Sequence, residues 1–290
     1  MKGIILAGGS GTRLHPSTLS VSKQLLPVYD KPMIYYPLST LMLAGIREIL
    51  IITNPEFLES YRNLLGDGRN WGMNFEFIAQ QKPRGLADAF ILGEEFVNYQ
   101  PVSLILGDNI LYGSTLIEIL QDSTKIEKGA TIFAYQVRDP ERFGIVEFDQ
   151  NRKAVSLNEK PKNSKSNYAI PGLYFYDRMV CSFAKSLTPS LRGEIEITDL
   201  NRIYLEMGEL DVKVLGRGVA WLDAGTPDAL LQASNFVQAV QVRQGFKISC
   251  PEEIALHMDF IDHDQFCYII KNNKNPEYKK YLEDLLHEGS

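Results

Sequence analysis

Lys2-Gly-Ile-Ile-Leu-Ala-Gly-Gly-Ser-Gly-Thr-Arg-Leu14 opens the chain with a short apolar run and sets a glycine cluster directly behind it. Residues 3–7 show no polar alternation, the pattern of a strand covered on both faces in a parallel sheet. The glycines that follow let backbone N–H groups approach phosphate oxygens closely, and Arg13 offers them a planar fork. Two familiar phosphate loops fail on the spot. A GxxxxGK[ST] loop needs a lysine that does not come until Lys23. A dinucleotide fingerprint needs a glycine where Leu14 stands and an acid after the second strand, where Thr53-Asn54 stands.

Outward from that turn, strand and helix signals alternate. Strand-like runs at 48–53, 75–79 and 102–106 are separated by helical stretches near 37–44, 55–65 and 85–97. Such alternation predicts right-handed βαβ units in a doubly wound sheet, with ligands at the carboxyl ends of the strands. The middle of the chain changes character. Runs at 130–137, 144–148, 154–158 and 169–176, with a hairpin turn at Asp149–Arg152, read as an inserted antiparallel part walling a pocket. A helix over 196–206 and strands near 212–215 and 219–222 follow, and from Thr226 the chain is mostly helical. The expected fold is therefore α/β, a Rossmann-like doubly wound mixed sheet. Its core spans 1–240, with a first, strand–helix part to about 125 and the inserted pocket-wall part over 126–225, before a helical segment at 241–290.

Composition narrows the class. With 290 residues, 44% hydrophobic and 23% charged, the chain buries a core without staples. A net charge of -6 lacks the basic surface that nucleic acid requires. Cys181, Cys250 and Cys267 are odd in number and widely spaced, so neither a disulfide framework nor a zinc cluster is expected. The N-terminal apolar run is too short for a signal peptide, and no run reaches the roughly 20 residues of a membrane span. A cytoplasmic protein, with no nucleic-acid or membrane partner, is the expectation.

GGSGTRL at 8–14 and SKQLLPVYDKPMIYYPL at 22–38 resemble the signature of the sugar-phosphate nucleotidyltransferases, in particular the branch transferring thymidylate to glucose 1-phosphate. Gln80 with Gly85-Leu-Ala, Leu106-Gly-Asp-Asn109, Glu141-Arg-Phe-Gly-Ile-Val146, Glu159-Lys-Pro161 and Trp221-Leu-Asp-Ala-Gly225 extend the likeness to about residue 250. The resemblance implies dTTP, or UTP, and glucose 1-phosphate as substrates, Mg2+ as cofactor and a homotetramer. It also implies that Gly8, Gly11, Thr12, Arg13, Lys23, Gln24, Gln80, Gly85 and Asp108 bind the nucleotide. Gly144, Glu159, Lys160 and Ile170 would bind the sugar phosphate, with Arg13, Lys23 and Lys160 catalytic.

The chemistry explains those residue types. Joining a sugar phosphate to an α-phosphorus is an in-line displacement in which the protein positions reactants and neutralises oxygens. The sugar phosphate is itself the nucleophile, so no catalytic Ser, Cys or His is needed. Asp108 and Asp223 each follow a strand, as a magnesium site of one or two carboxylates requires. On sequence alone each reads equally as a helix N-cap, and the resemblance favours metal ligands. A glutamine amide at Gln80 matches the O4/N3 edge of thymine or uracil. Lys82, Arg84 and Asp88 depart from the family form and make the rim of that pocket more charged. Glu196 and Asp199 read as structural. A non-catalytic sensor on the same fold would have lost an aspartate or Lys160, and this chain keeps them.

Overall fold

A computed structural model describes residues 1–288. Strand β1 (Lys2–Ala7) lies at the centre, and a two-residue pair, β2 (Pro27–Val28) and β3 (Lys31–Pro32), follows it. Helix α1 (Tyr35–Leu43), β4 (Glu48–Thr53), α2 (Leu58–Leu65), β5 (Asn74–Ala79), and the short helices α3 (Asp88–Leu92) and α4 (Glu94–Val97) come next. Strands β6 (Val102–Leu106) and β7 (Asn109–Gly113) and helix α5 (Leu116–Ser123) end the first part. The middle holds β8 (Ala130–Gln136), β9 (Gly144–Phe148), β10 (Ala154–Glu159), β11 (Tyr168–Ala169) and β12 (Leu173–Tyr176). After α6 (Val180–Ser186) and α7 (Ile197–Glu206) come β13 (Leu210–Val214) and β14 (Val219–Asp223). Four helices close the chain: α8 (Pro227–Gln244), α9 (Pro251–His257), α10 (His263–Asn272) and α11 (Pro276–Glu288). The last two residues of the expected helical segment lie outside the described residues.

One sheet runs through both expected parts, in the order β10-β9-β11-β8-β12-β6-β1-β4-β5, with β13 also paired to β8. Strands β6, β1, β4 and β5 are parallel. Ile4 and Leu104 join one face's core while Ile5 and Ile105 join the other, which is why β1 and β6 show no alternation of buried and exposed positions. Strand β12 is antiparallel to both β6 and β8, so the antiparallel strands extend the sheet rather than stand apart from it. Cys181, Cys250 and Cys267 are free thiols. Among the described residues, no helix is long and apolar enough to cross a membrane.

Two expected elements are broken, each for a physical reason. The helix expected over 85–97 splits at Gly93, which packs against Leu50 and Ile4 too closely for a side chain to fit easily. The strand expected over 169–176 is interrupted at Ile170-Pro171-Gly172, where proline lacks the N–H a ladder needs. A Cβ on Gly172 would sit 2.5 Å from Leu106 Cγ, so only glycine lets the bulge press on β6. Because β12 pairs with β6 while β11 pairs with β9, the interruption is where β6 and β9 diverge. The cleft described below opens there. The sequence reading missed β7, which pairs antiparallel with β14 as a separate ribbon.

Helix α8 settles how Asp223 is used. Thr226 is its N-cap, with Oγ1 accepting from the Ala229 N–H at 3.3 Å and Pro227 in the first turn. Asp223 caps nothing, and Asp108 is followed by β7 rather than a helix. In chelator, Thr226→Ala should lower unfolding free energy by about 1 kcal/mol, the usual worth of such a cap. Asp223→Asn should not lower it; urea unfolding of both variants checks the contrast.

Candidate active site

Beyond β1 the glycine turn is held by Asn54 at the end of β4. Its Oδ1 accepts from the Gly9 N–H and its Nδ2 donates to the Gly9 carbonyl, both at 3.1 Å. Gly11 takes φ 58°, and the turn runs into a single 3-10 turn at Thr12–Leu14 rather than a long helix. A Cβ on Gly8 would lie 3.2 Å from Gln80 Oε1 and 3.3 Å from Asn54 Oδ1, so the turn closes against both amides.

The ribbon of β7 and β14 brings the two aspartates together. Its register sets Asp223 opposite Asn109, and the Ala224 N–H donates to the Asp108 carbonyl at 3.1 Å. The Lys23 ammonium is in contact with Asp108 Oδ2. Arg142 Nη2 stands 3.6 Å from Asp223 Oδ2. A Cβ on Gly225 would be 2.9 Å from Arg13 Nη2 and 3.0 Å from Asp223 Oδ1, so guanidinium and carboxylate flank the same residue. Burial pushes the Asp223 carboxyl above its ordinary value and the charge on Asp108 pushes it further, with Lys23, Arg13 and Arg142 countering only in part. Burial also opposes ionisation of Asp108, but Lys23 and the Asn109 amide outweigh it and hold Asp108 below the usual carboxylate range. Two converging hard oxygen ligands, one bearing a lysine ammonium and the other lacking an equal partner, suit a divalent cation. Among the described residues no group of three or more His, Cys, Asp or Glu is placed to hold a metal.

Asn109 ties the site to the sheet. Its Nδ2 donates to Asp108 Oδ1 at 3.0 Å, while its Oδ1 accepts from the Gly172 N–H at 3.0 Å and from Trp221 Nε1 at 2.6 Å. Asp108 is thereby fixed to the bulge and to β14 at once.

A cleft of about 470 Å³ runs from Arg13, Asp108 and Asp223 to a second wall containing Gly144, Glu159, Lys160 and Ile170. Thr198 Oγ1 donates to Glu159 Oε2 at 2.6 Å, and Arg192 and Lys160 stand 3.5 and 3.7 Å from Oε1. A Cβ on Gly144 would come within 3.3 Å of Glu159 Oε2, so glycine makes room for the carboxylate. The Ile170 N–H donates to the Gly144 carbonyl at 2.8 Å and is therefore not free for a ligand. Lys160 adopts φ 42°, its N–H bonds to the Phe143 carbonyl at 3.0 Å, and its side chain is half exposed.

The remaining candidates lie outside that lining. Gln24 is buried, its Oε1 accepting from Ser22 Oγ at 3.0 Å and Tyr61 Oη at 3.3 Å. Gln80 is buried beside the glycine turn, its Nε2 donating to Asp88 Oδ2 at 2.9 Å. Gly85, at φ 104°, precedes α3 rather than opening it; a Cβ there would meet the Ile195 carbonyl at 2.4 Å. Glu196 stands at the N-cap of α7 without capping it, and holds Arg192 and Ser190 instead. Sequence reasoning passed over Asn54, Asn109 and Arg142. The last two lie inside the quoted motifs, whereas Asn54 shows no signal beyond its position at a strand end.

Comparison with known proteins agrees with this geometry. The family model described as nucleotidyl transferase matches residues 2–240. A glucose-1-phosphate thymidylyltransferase of Neisseria meningitidis is 56% identical over 286 residues, 99% of each chain. One from Xanthomonas campestris is 53% identical over 289 residues, 100% of this chain and 98% of the other. A solved Bacillus anthracis protein, provisionally named a glucose-1-phosphate thymidylyltransferase and bound to sucrose, superposes with a TM-score of 0.76 at 43% identity, covering 81% of this chain and 94% of its own. A UDP-glucose pyrophosphorylase bound to UDP-glucose gives 0.72 at 25% identity, covering 82% and 98%. The strand order, the paired aspartates and these matches lead to one conclusion: the chain belongs to the nucleotidyl transferase family, among its glucose-1-phosphate thymidylyltransferases.

Proposed function

We propose that the chain joins glucose 1-phosphate to dTTP, giving dTDP-glucose and pyrophosphate, with Mg2+ as cofactor. The observation that carries this reading is the convergence of Asp108 and Asp223 with Arg13, Lys23 and Arg142 at one end of a cleft whose far wall bears Lys160 and Glu159. Asp108 and Asp223 would hold the cation, which supplies Lewis-acid neutralisation of phosphate oxygens. Arg13 and Lys23, with the backbone of Gly8, Gly11 and Thr12, neutralise the triphosphate and the departing pyrophosphate. Lys160 holds the phosphate of the sugar phosphate and orients its oxygen for in-line attack. Glu159 accepts from sugar hydroxyls, with Gly144 and Ile170 forming the wall beneath. The ionised sugar phosphate is itself a competent nucleophile, so a single displacement without a covalent enzyme intermediate is the expected course. Gln80 and Gly85 belong to the base end of the nucleotide site, and Gln24 supports it from the core. A homotetrameric assembly rests on the family resemblance alone, whereas the division of the core at about residue 125 rests on the change in strand pattern there and the cytoplasmic setting on the odd, widely spaced cysteines.

UTP is the second reading, because thymine and uracil differ by one methyl, worth only about 1–3 kcal/mol in a pocket. A pyrophosphate-release screen across nucleoside triphosphates and sugar 1-phosphates tests the assignment. Glucose 1-phosphate with dTTP should outperform every purine nucleotide in kcat/KM; a higher value with ATP or GTP would overturn it.

Arg13 and Lys160 line one cleft from different parts of the chain, and their proposed tasks predict separable defects. Losing one preorganised charge contact at such a centre costs about 10²–10³ in kcat. Lys160→Ala should lower kcat and raise KM for glucose 1-phosphate, with KM for dTTP nearly unchanged, whereas Arg13→Ala should affect dTTP more. Steady-state kinetics varying each substrate in turn distinguishes this from a solvated Lys160, whose loss would change neither constant.

A further inference from the structure

Asp88 is 1% exposed, yet it is a charged residue at the start of a short helix. Its Oδ1 pairs with Arg84 Nη2 at 2.6 Å and its Oδ2 accepts from Gln80 Nε2 at 2.9 Å. Paired with Arg84, the carboxylate oxygens of Asp88 serve as hydrogen-bond acceptors. A carboxylate therefore fixes which way the Gln80 amide faces: nitrogen towards Asp88, oxygen away from it. Gln80 Oε1 accepts no hydrogen bond among the described residues, and it faces Gly8 at the phosphate turn. Rotating the amide by half a turn would set Oε1 against the Asp88 carboxylate, leaving two buried acceptors opposed. That arrangement carries the full cost of an unsatisfied pair.

We propose that Asp88, held by Arg84, is a positioning residue that locks Gln80 and so makes the site reject cytosine. The inference rests on the reading of Gln80 as a base contact. With the amide locked, Oε1 must receive a donor and the second Nε2 hydrogen must find an acceptor. Thymine and uracil present that pair as N3–H and O4. Cytosine presents the reverse, an acceptor at N3 and an amino group at C4. A free glutamine could rotate to suit cytosine; this one cannot, because the lock is a charge rather than a second amide. Sequence reading took Arg84 and Asp88 as added charge at the pocket rim. The structure has them as one ion pair whose acid end lies inside, against the base-reading amide.

The test measures kcat/KM for dTTP, dUTP and dCTP with glucose 1-phosphate in the wild type, Asp88→Asn, Asp88→Ala and Gln80→Ala. In Asp88→Asn the new amide tolerates either orientation of Gln80, and in Asp88→Ala nothing opposes rotation. Both should lower the dTTP-to-dCTP ratio by about tenfold or more, the scale of one mispaired buried polar contact. The dTTP-to-dUTP ratio should not move, because the amide does not contact the 5-methyl group. All rates in a ratio come from the same preparation, so a partly folded variant leaves the ratio intact. A merely structural role would lower all three nucleotides together. Unchanged dTTP-to-dCTP ratios in both Asp88 variants, alongside a collapse in Gln80→Ala, overturn the proposal and leave the base-contact reading standing. A ratio that also survives Gln80→Ala overturns both.

Discussion

The antiparallel pairing of β7 with β14 is the constraint on which the site depends. It takes Asp108, at the end of the parallel sheet, and sets it beside Asp223, a residue distant in sequence, by aligning Asn109 with Asp223. Two partly buried carboxylates side by side repel, and the fold meets that repulsion unequally. Lys23 rests on Asp108, while Asp223 has no cation in contact among the described residues, with Arg142 3.6 Å away and Arg13 on a shared flank. The outcome is one acid held ionised and one whose charge is disfavoured. Such a pair is unfavourable alone, and the divalent cation proposed above would relieve it.

Around that pair, the polar side chains act mainly as alignment pins. Asn109 spends its amide on Asp108, Gly172 and Trp221, so the acid, the sheet bulge and the ribbon move as one body. Asn54 does the same for the glycine turn through Gly9. Glycines take the places where backbone or carboxylate must come close: Gly172 against Leu106, and Gly144 against Glu159. The cleft is thus a consequence of β6 and β9 diverging from an interrupted strand, with small residues at the point of divergence.

Much of this was legible in the sequence, and the residues that were not share a cause. The parallel strands announce themselves because burial on two faces removes polar alternation, so 3–7, 48–53 and 102–106 read directly. β7 is hidden because only two residues separate it from β6, and its partner β14 lies far along the chain; no local pattern encodes that pairing. The break at Pro171-Gly172 was visible only as residue types, since its meaning depends on Leu106 packing beneath it. Among site residues, the motif positions at Arg13, Asp108, Asp223, Glu159 and Lys160 do line one cleft. Asp88 was misjudged as rim charge because sequence shows that an acid and an arginine are four positions apart, not that the acid is buried against Gln80.

The account stands most directly on the claim that Asp108 and Asp223 together receive the cation. Thermal unfolding at fixed dTTP, in excess Mg2+ and in chelator, measures this without turnover. A ligand at 100 times its Kd adds about 2.7 kcal/mol of stability. The wild type should gain stability from Mg2+, and Asp108→Asn and Asp223→Asn should each lose most of that gain while remaining folded in chelator. Full Mg2+ stabilisation retained in either variant would contradict the account, because that aspartate would then not belong to the cation site.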